Sequence, residues 1–173
     1  MADTFAPINV NDGLRVDRKL EIHLVNVGTS DAPDWEVLGR GVEDAAMAFN
    51  HDVSQVVDIL GISDVDVSGA KPQLDLDPYN IRGGQKLSAK LLDIERRNAV
   101  AELSAFEILN VHAFLGQTGS FLAEVHKNCT IVPVSLGGSS YVGMPLNVHL
   151  SNDKTLGTAS QTEGAWAFAK ATA

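Results

Sequence analysis

The sequence predicts a mainly β protein, a β-sandwich or barrel of about 7–8 antiparallel strands with one flanking α-helix. Three observations lead to this class. Apolar and polar residues alternate in several short runs that end at Gly, Pro, Asn or Asp, as half-buried strands do. Only one segment has apolar residues at helical spacing. The chain has 173 residues, 45% of them hydrophobic, which suits one domain with its own core.

The first half of the chain is predicted to form an arm followed by strands. Residues 1–19 are rich in turn formers without periodicity and are interpreted as a flexible N-terminal arm. Residues 21–27 follow as the first strand. The runs 34–38 and 53–60 both alternate, and we interpret them as the two strands of a hairpin. Their connection is far longer than the two residues that a tight hairpin turn needs.

The second half is predicted to contain the helix and the remaining strands. Leu87, Leu91 and Ile94 are spaced four and then three residues apart, which predicts a helix near 85–98 with one apolar face. Residues 99–104 fit either an extension of this helix or the start of a strand. The segments after them are β-rich, and the small residues of 161–173 are interpreted as a C-terminal arm. The β domain is therefore expected to span 20–160.

The long connection carries apolar residues where solvent exposure is expected. Val42, Met47 and Phe49 lie on what the hairpin interpretation makes a protruding loop. A long loop with apolar groups either folds back onto its own domain or binds another protein. The sequence leaves both possibilities open.

The negative charge is concentrated in one part of the chain. The net charge is −9, and residues 31–77 hold 11 acidic residues against two basic ones, Arg40 and Lys71. Such a field repels phosphate, so the sequence argues against a protein that grips nucleic acid.

No catalytic, metal or cofactor site is predicted. The histidines lack metal-site spacing, and no nucleophile–base arrangement is visible. The single cysteine, Cys129, excludes an internal disulfide and favours a reducing compartment. The N-terminus lacks the features of a signal peptide, and no apolar run reaches membrane-spanning length, so a soluble protein without membrane contact is expected. The histidines are His23, His51, His112, His126 and His149.

The order of parts resembles one known family. The run from Trp35 to Glu43, the loop to Asn50 and the run from Val53 to Gly61 resemble the strand–long loop–strand opening of phage major tail proteins. Leu76-Asp77-Pro78-Tyr79 before a single helix, and the closing β segments, are also similar to that family. The resemblance covers roughly 20–160 and implies a tail-tube-like fold.

The resemblance also implies a function and partners. Members form hexameric rings that stack into a hollow tube, through which the genome passes at ejection without specific binding. The implied partners are the tape measure, terminator and baseplate or tip proteins. The protein is then expected in the virion tail, and in the host cytoplasm during assembly. Two alternatives are kept: an inner-tube subunit of a bacterial secretion or injection apparatus, and a soluble ligand-binding β-barrel.

The resemblance assigns roles to particular residues. The loop 41–52 is expected to contact a neighbouring ring or subunit through Val42, Met47 and Phe49. Like charge keeps DNA from adhering to a tube wall, so an acidic lumen is expected. The residues predicted to face the lumen are Asp34, Glu36 and Asp58.

Overall fold

The computed structural model describes residues 8–42 and 44–171. These ranges contain eleven strands, one α-helix and two short 3-10 helices. The prediction of a mainly β protein with one helix is confirmed. The strands are β1 (Glu21–Asn26), β2 (Trp35–Val37), β3 (Met47–Ala48), β4 (Asp52–Val57), β5 (Ser63–Ser68), β6 (Gln73–Leu76), β7 (Phe106–Gln117), β8 (Ser120–Pro133), β9 (Leu146–His149), β10 (Lys154–Thr162) and β11 (Ala165–Lys170). The α-helix, α1, spans Lys86–Arg97, and the 3-10 helices span Arg18–Leu20 and Val100–Ser104.

Most strands join one open, curled antiparallel sheet in the order β2-β1-β7-β8-β9-β6-β3. In addition, β10 pairs with β8, and β11 pairs with β10. The long strand β8 holds both halves of the sheet together. Residues 121–126 of β8 pair with β10, and residues 130–133 pair with β9. Asn128 lies between the two halves in a left-handed conformation, with φ 56°. At this point the edge of β8 changes its partner from β10 to β9.

The central strands bury side chains on both faces. Leu24 and Val25, neighbours on β1, belong to two different apolar clusters. The larger cluster lies under α1 and contains Phe106 and Ile131. The smaller cluster lies on the other face, where Trp166 and Phe168 of β11 pack against it. Burial on both faces explains the almost continuous apolar run of these strands.

Helix α1 forms where the apolar spacing predicted it. Leu87, Leu91 and Ile94 are buried against the sheet. The helix ends at Asn98, which adopts the left-handed conformation of a C-terminal cap and donates its N–H to the carbonyl of Glu95. The ambiguous residues that follow form the second 3-10 helix, and strand structure begins at Phe106.

The predicted hairpin is wrong in its pairing. β2 pairs with β1, with Trp35 opposite Asn26, and does not pair with β4. The side-chain oxygen of Asn26 accepts the N–H groups of Gly28 and Asp34, at 2.9 and 3.0 Å, and this closes a local turn. Alternation identified the strands correctly, but a local turn decided their partner.

A different hairpin protrudes. β3 and β6 pair at one end of the main sheet. The chain runs from β3 into β4 and returns from β5 into β6. β4 and β5 form a separate two-stranded sheet, which we call the ribbon, residues 52–68. The base of the ribbon is held by the Phe49 carbonyl, which accepts the N–H of Lys71 at 3.0 Å.

The two ends of the chain have different surroundings. The N–H of Asn9 donates to the carbonyl of Phe114 at 2.7 Å, and residues 1–7 lie outside the described part. At the other end β11 pairs with β10 over its full length, so residues 165–170 lie in the sheet. Whether either end rearranges on assembly stays a prediction.

In the part of the chain that the structure describes, no helix has the length and apolar character needed to span a membrane.

Candidate assembly surface

The ribbon is the most exposed part of the fold. Every residue of β4 and β5 is exposed. Two-stranded hairpins are at best marginally stable in water when nothing packs against them. The ribbon therefore carries a surface suited to a partner.

The two faces of the ribbon differ in chemistry. Residues directly opposite each other in an antiparallel pair lie on the same face. Val53 faces Val67, and Gln55 faces Val65. The apolar face therefore holds Val53, Val57, Val65 and Val67, each between 56% and 62% exposed.

The opposite face is acidic. Ser54 faces Asp66, and Val56 faces Asp64. Asp52 lies on this face near the base, where its carboxylate pairs with Lys71 Nζ at 3.0 Å. The ribbon is thus amphipathic, with the strand period of two.

The tip of the ribbon is an ordered turn. Asp58 Oδ1 accepts the N–H groups of Leu60 and Ile62, both at 2.8 Å, and Gly61 has the positive φ that the turn requires. Ile59 is fully exposed and Leu60 is 77% exposed. The turn therefore presents two large apolar side chains at the far end of the ribbon.

The predicted contact residues have different surroundings. Val42 and Met47 are partly buried, and both side chains pack against the larger cluster of their own domain. The Met47 sulfur also lies 3.9 Å from the Asn110 side-chain nitrogen. Phe49 is exposed and stacks on His51, with ring centroids 6.0 Å apart. A contact between copies through these three residues stays a prediction.

The predicted lumen residues all have partners inside the chain. The Asp34 carboxylate pairs with Lys86 and raises the pKa of that amine. Glu36 Oε2 accepts the N–H of Lys86 at 2.8 Å and so caps α1. Asp58 holds the ribbon tip. Their position relative to a lumen stays a prediction.

A groove lies where the chain leaves β2, beside residues 37–39 and Val42. It has a volume of about 320 Å³ and an apolar floor to which Val37, Leu38 and Val42 contribute. Arg18 and Lys19 line it, together with Glu21.

Two more cations lie close to Gly41, the residue before the lining residue Val42. Arg40 is exposed between Gly39 and Gly41, and the Arg82 guanidinium packs so close to Gly41 that a side chain there would collide with it. We call this feature the basic groove. Its lining residues are Arg18, Lys19, Glu21, Ile22, His23, Val37, Leu38, Gly39, Val42, Ala45 and Leu76.

A band of polar side chains crosses β1 and β7 near Met47. His112 Nδ1 lies 2.7 Å from Glu21 Oε2, and this contact raises the pKa of His112. His23 Nδ1 lies 2.8 Å from Asn110 Oδ1, and burial lowers the pKa of His23.

The second half of the band is centred on Glu124. His126 Nε2 lies 3.0 Å from one carboxylate oxygen, and Lys154 Nζ lies 3.1 Å from the other. These contacts hold the pKa of Glu124 at about 2. Across residues 8–42 and 44–171, His, Cys, Asp and Glu side chains form no group of three able to hold a metal ion. The band is a set of polar side-chain contacts that link β1 to β7 and β8 to β10.

Sequence reasoning missed the ribbon and the basic groove. The ribbon had a usable signal, because two alternating runs flank the turn residues Asp58 and Gly61 at hairpin spacing. The groove had none, because its cations come from parts of the sequence that only the fold brings together.

Comparisons with known proteins found similarity at the level of the fold. No protein-family model matches the chain, and no curated protein matches its sequence. The fold is similar to the sheath/tube terminator of an extracellular contractile injection system, PVC, in its extended state. That match has a TM-score of 0.50 and 10% identity over 84% of this chain and 98% of the other.

Two further structures are more distant. A chain of the PVC sheath–tube complex gives a TM-score of 0.48 with 11% identity, over 89% of this chain and 96% of that one. The tube-terminating cap of the anti-feeding prophage gives 0.43 with 16% identity, over 92% and 100%. The terminator match establishes a shared fold.

Proposed function

We propose that the protein is a structural subunit of the tube of a phage tail or a tail-like injection apparatus. Copies associate into rings, hexameric as in the family that the sequence resembles, and the rings stack into a hollow conduit. The observation that carries this proposal is the amphipathic ribbon, whose apolar face is exposed in the part of the chain that the structure describes. The role is structural rather than catalytic.

The ribbon supplies a driving force for association. Burying one valine or isoleucine side chain completely is worth about 1.5–3 kcal/mol. The apolar face and the tip together present several such side chains. Ordering and immobilising the partners costs several kcal/mol, so the whole surface has to be covered to give a stable contact.

The sheet also presents edges that assembly can cover. β2 lies at one end of the main strand order and β3 at the other. Edge strands offer unpaired N–H and C=O groups, and joining sheets around a ring removes such edges.

The fold shared with a tube terminator supports a second, more specific role. A terminator completes a tube, whereas a tube subunit continues it. The match to the PVC sheath/tube terminator covers nearly all of that chain. On this alternative the protein forms a single ring that caps a tube and does not polymerise alone.

The remaining expectations are part of the proposal. Asp34, Glu36 and Asp58 are proposed to face the lumen, and residues 1–19 and 161–173 to adjust on assembly. What passes through depends on the apparatus: a genome in a phage tail, another cargo in an injection system. Tape measure, terminator and baseplate proteins are the proposed partners, and tail particles assembled in the host cytoplasm are the proposed location.

The test is the state of association of the purified protein. Sedimentation velocity over a hundredfold range of concentration, with negative-stain microscopy of the same samples, is expected to show rings or tubes. Rings of one size at every concentration support the terminator role, and tubes that lengthen with concentration support the tube role. A monomer at every concentration, even with a preformed tube end supplied, contradicts both. A ligand-binding barrel predicts that last outcome.

A further inference from the structure

We propose that residues 44–49 form a strap that opens when His23 takes up a proton. The strap crosses the sheet face that carries the band of polar side chains, and Met47 at its centre contacts Asn110 of that band. The proposal concerns motion within one copy of the chain. Its failure therefore leaves the proposed function untouched.

The strap is held to the domain at separate points. Arg18 Nη2 donates to the carbonyl of Ala45 at 2.6 Å. The side-chain nitrogen of Asn110 donates to the Met47 sulfur at 3.9 Å, and the two residues of β3 pair with β6. Ala45 and Met47 also pack against the larger cluster. A segment with contacts of this kind can open locally without unfolding the rest of the domain.

A cleft lies on each side of the strap. The first, about 420 Å³, is lined by Met47 and Phe49 of the strap and by His23 of β1. The second, about 280 Å³, is lined by the same two strap residues and by Glu124 of β8. The sides of the strap are therefore loosely packed, and its movement does not require the sheet strands to separate.

His23 is connected to the strap through one shared partner. The histidine is 5% exposed, and its Nδ1 lies 2.8 Å from Oδ1 of Asn110. An amide oxygen only accepts, so Nδ1 carries the hydrogen and the lone pair of the neutral ring is on Nε2. The nitrogen of the same amide donates to Met47. An added proton goes to Nε2 and places a charge in a site that is nearly closed to solvent.

The groups beside His23 oppose this charge on balance. Burial is the largest effect and lowers the pKa of His23. Arg18 and His112 also lower it, and Lys19 lines the basic groove that His23 shares. Glu21 favours the charged ring, but its carboxylate already lies 2.7 Å from His112 Nδ1.

The remaining charged groups around the strap are paired or exposed. They are Asp17 with Lys19 at 3.1 Å, Glu124 with His126 and Lys154 at 3.0 and 3.1 Å, and Asp44, which is exposed on the strap. In the described part of the chain none of these carboxylates forms an ion pair with His23. An exposed carboxylate is screened by water, so Asp44 does not replace the solvation that burial removes.

Protonation and opening are coupled through burial and through Arg18. A charged His23 repels the guanidinium that holds Ala45, and opening brings water to the ring. Because the pKa of His23 is lowered in the closed form, the open form binds more protons below pH 6.5. The closed strap is therefore fully stable above pH 6.5 and loses stability as the pH falls below this value.

The pair of His112 with Glu21 responds in the opposite direction. Its partners lie on β7 and β1, so it links two strands of the sheet and does not hold the strap. The pKa of His112 is raised, so acid strengthens this link. Loosening of the strap alone is therefore distinguishable from loosening of the whole sheet.

Opening also reaches the base of the ribbon. The Phe49 carbonyl accepts the N–H of Lys71 at 3.0 Å, and the Asn50 side chain donates to the Lys71 carbonyl at 3.0 Å. Both bonds join the end of the strap to the segment that leaves the ribbon. Acid is therefore expected to loosen the ribbon at its base.

Hydrogen exchange of the purified protein tests the proposal. Protection factors, which correct for the pH dependence of the exchange chemistry, are compared at pH 7.5 and pH 5.5 for peptides covering 44–49. A fall approaching about tenfold is expected at pH 5.5, the limit for one proton bound by a group with an ordinary pKa of 6.5. Peptides covering 106–112 of β7 are expected to keep their protection. A change below twofold in the strap, or an equal fall in β7, overturns the proposal.

Two variants assign the effect to one histidine. His23→Gln removes the titrating group and is expected to give the same strap protection at both pH values. The matched control, His112→Gln, removes the other histidine of the same cleft and is expected to keep the fall. A fall that persists in His23→Gln overturns the proposal. Sedimentation velocity shows that all samples compared have the same state of association.

A second measurement covers the case in which His23→Gln fails to fold. The imidazole signals of the unmodified protein are then followed by nuclear magnetic resonance as a function of pH. The His23 ring is expected to titrate below pH 6.5. A ring that titrates at or above pH 6.5 overturns the proposal, because the closed strap would then bind the proton at least as well as the open one.

Discussion

The carboxylate of Glu36 accepts the backbone N–H of Lys86 at 2.8 Å, across fifty residues of sequence. The acceptor comes from β2, and the donor is the first residue of α1. A negative group at a helix N-terminus satisfies an otherwise unpaired donor and complements the helix dipole. The contact holds the start of α1 against β2, so Glu36 has a structural role.

Glu36→Ala is expected to destabilise the fold. Loss of the cap should lower the free energy of unfolding by about 1 kcal/mol. Urea denaturation followed by circular dichroism measures this. Glu36→Gln keeps an acceptor and is expected to lose less. Equal stability of the alanine variant and the unmodified protein contradicts the capping role.

Val65→Asp is expected to block assembly and leave the monomer folded, because it places a charge on the apolar face of the ribbon. The matched control is Val56→Asp, which makes the same change at a residue of similar exposure on the acidic face. The two variants are compared by sedimentation velocity. Equal impairment by both refutes the assignment of the apolar face as the contact.

Met47→Asp and Phe49→Asp are expected to differ. Met47 packs against the core, so a carboxylate there should cost about 1–3 kcal/mol of stability. Phe49 is exposed, so its variant should keep the melting temperature and affect only assembly, if this residue contacts a neighbouring copy. Thermal melts combined with microscopy separate the two effects. Normal tubes from the Phe49 variant exclude that residue from the contact.

Glu124 is expected to make the fold sensitive to acid. Its pKa is about 2 in the folded protein, against an ordinary value of 4.5. Because the folded value is depressed, the stabilisation is present above pH 4.5 and is lost as the pH falls towards 2. A depression of this size corresponds to about 3 kcal/mol. Stability curves of Glu124→Gln between pH 6 and pH 2.5 should therefore be flatter than those of the unmodified protein.

His112 is expected to act in the opposite direction. Its pKa is raised above the ordinary 6.5 by the contact with Glu21, with Glu124 adding to the effect and Lys154 opposing it. The stabilisation is therefore complete below pH 6.5 and is lost as the pH rises through the folded-state pKa. The stability difference between the unmodified protein and His112→Gln should be larger at pH 5.5 than at pH 8.5. A difference independent of pH rules out this ion pair as its source.

The sequence was sufficient for the helix and several strands, but not for β11, which lies in the predicted C-terminal arm, nor for the pairing of the strands. Leu87, Leu91 and Ile94 placed the helix because their spacing depends on the helix alone. The alternation at Trp35 and at Val53 placed two strands, but a period of two contains no information about which strand lies alongside. The turns closed by the side chains of Asn26 and Asp58 determine the partners: β2 pairs with β1, and β4 pairs with β5.

The site was harder to predict than the fold. Asp34 and Glu36 were interpreted from charge as lumen residues, yet both contact Lys86, whose proximity depends on long-range packing. Val42 and Met47 looked exposed because the loop was assumed to protrude. Exposure is a property of the whole fold, so a local pattern of apolar residues could not assign it.

The division of β8 at Asn128 has a mechanical consequence. The ribbon continues into β3 and β6, β6 is bonded to β9, and β9 is bonded to the far half of β8. The near half of β8 carries β10 and β11. A force on the ribbon therefore passes along the covalent chain into β3 and β6, and from β6 through the hydrogen bonds of β9 to β8. Force applied to the ribbon would then be shared by the hydrogen bonds of several strand pairs in the main sheet.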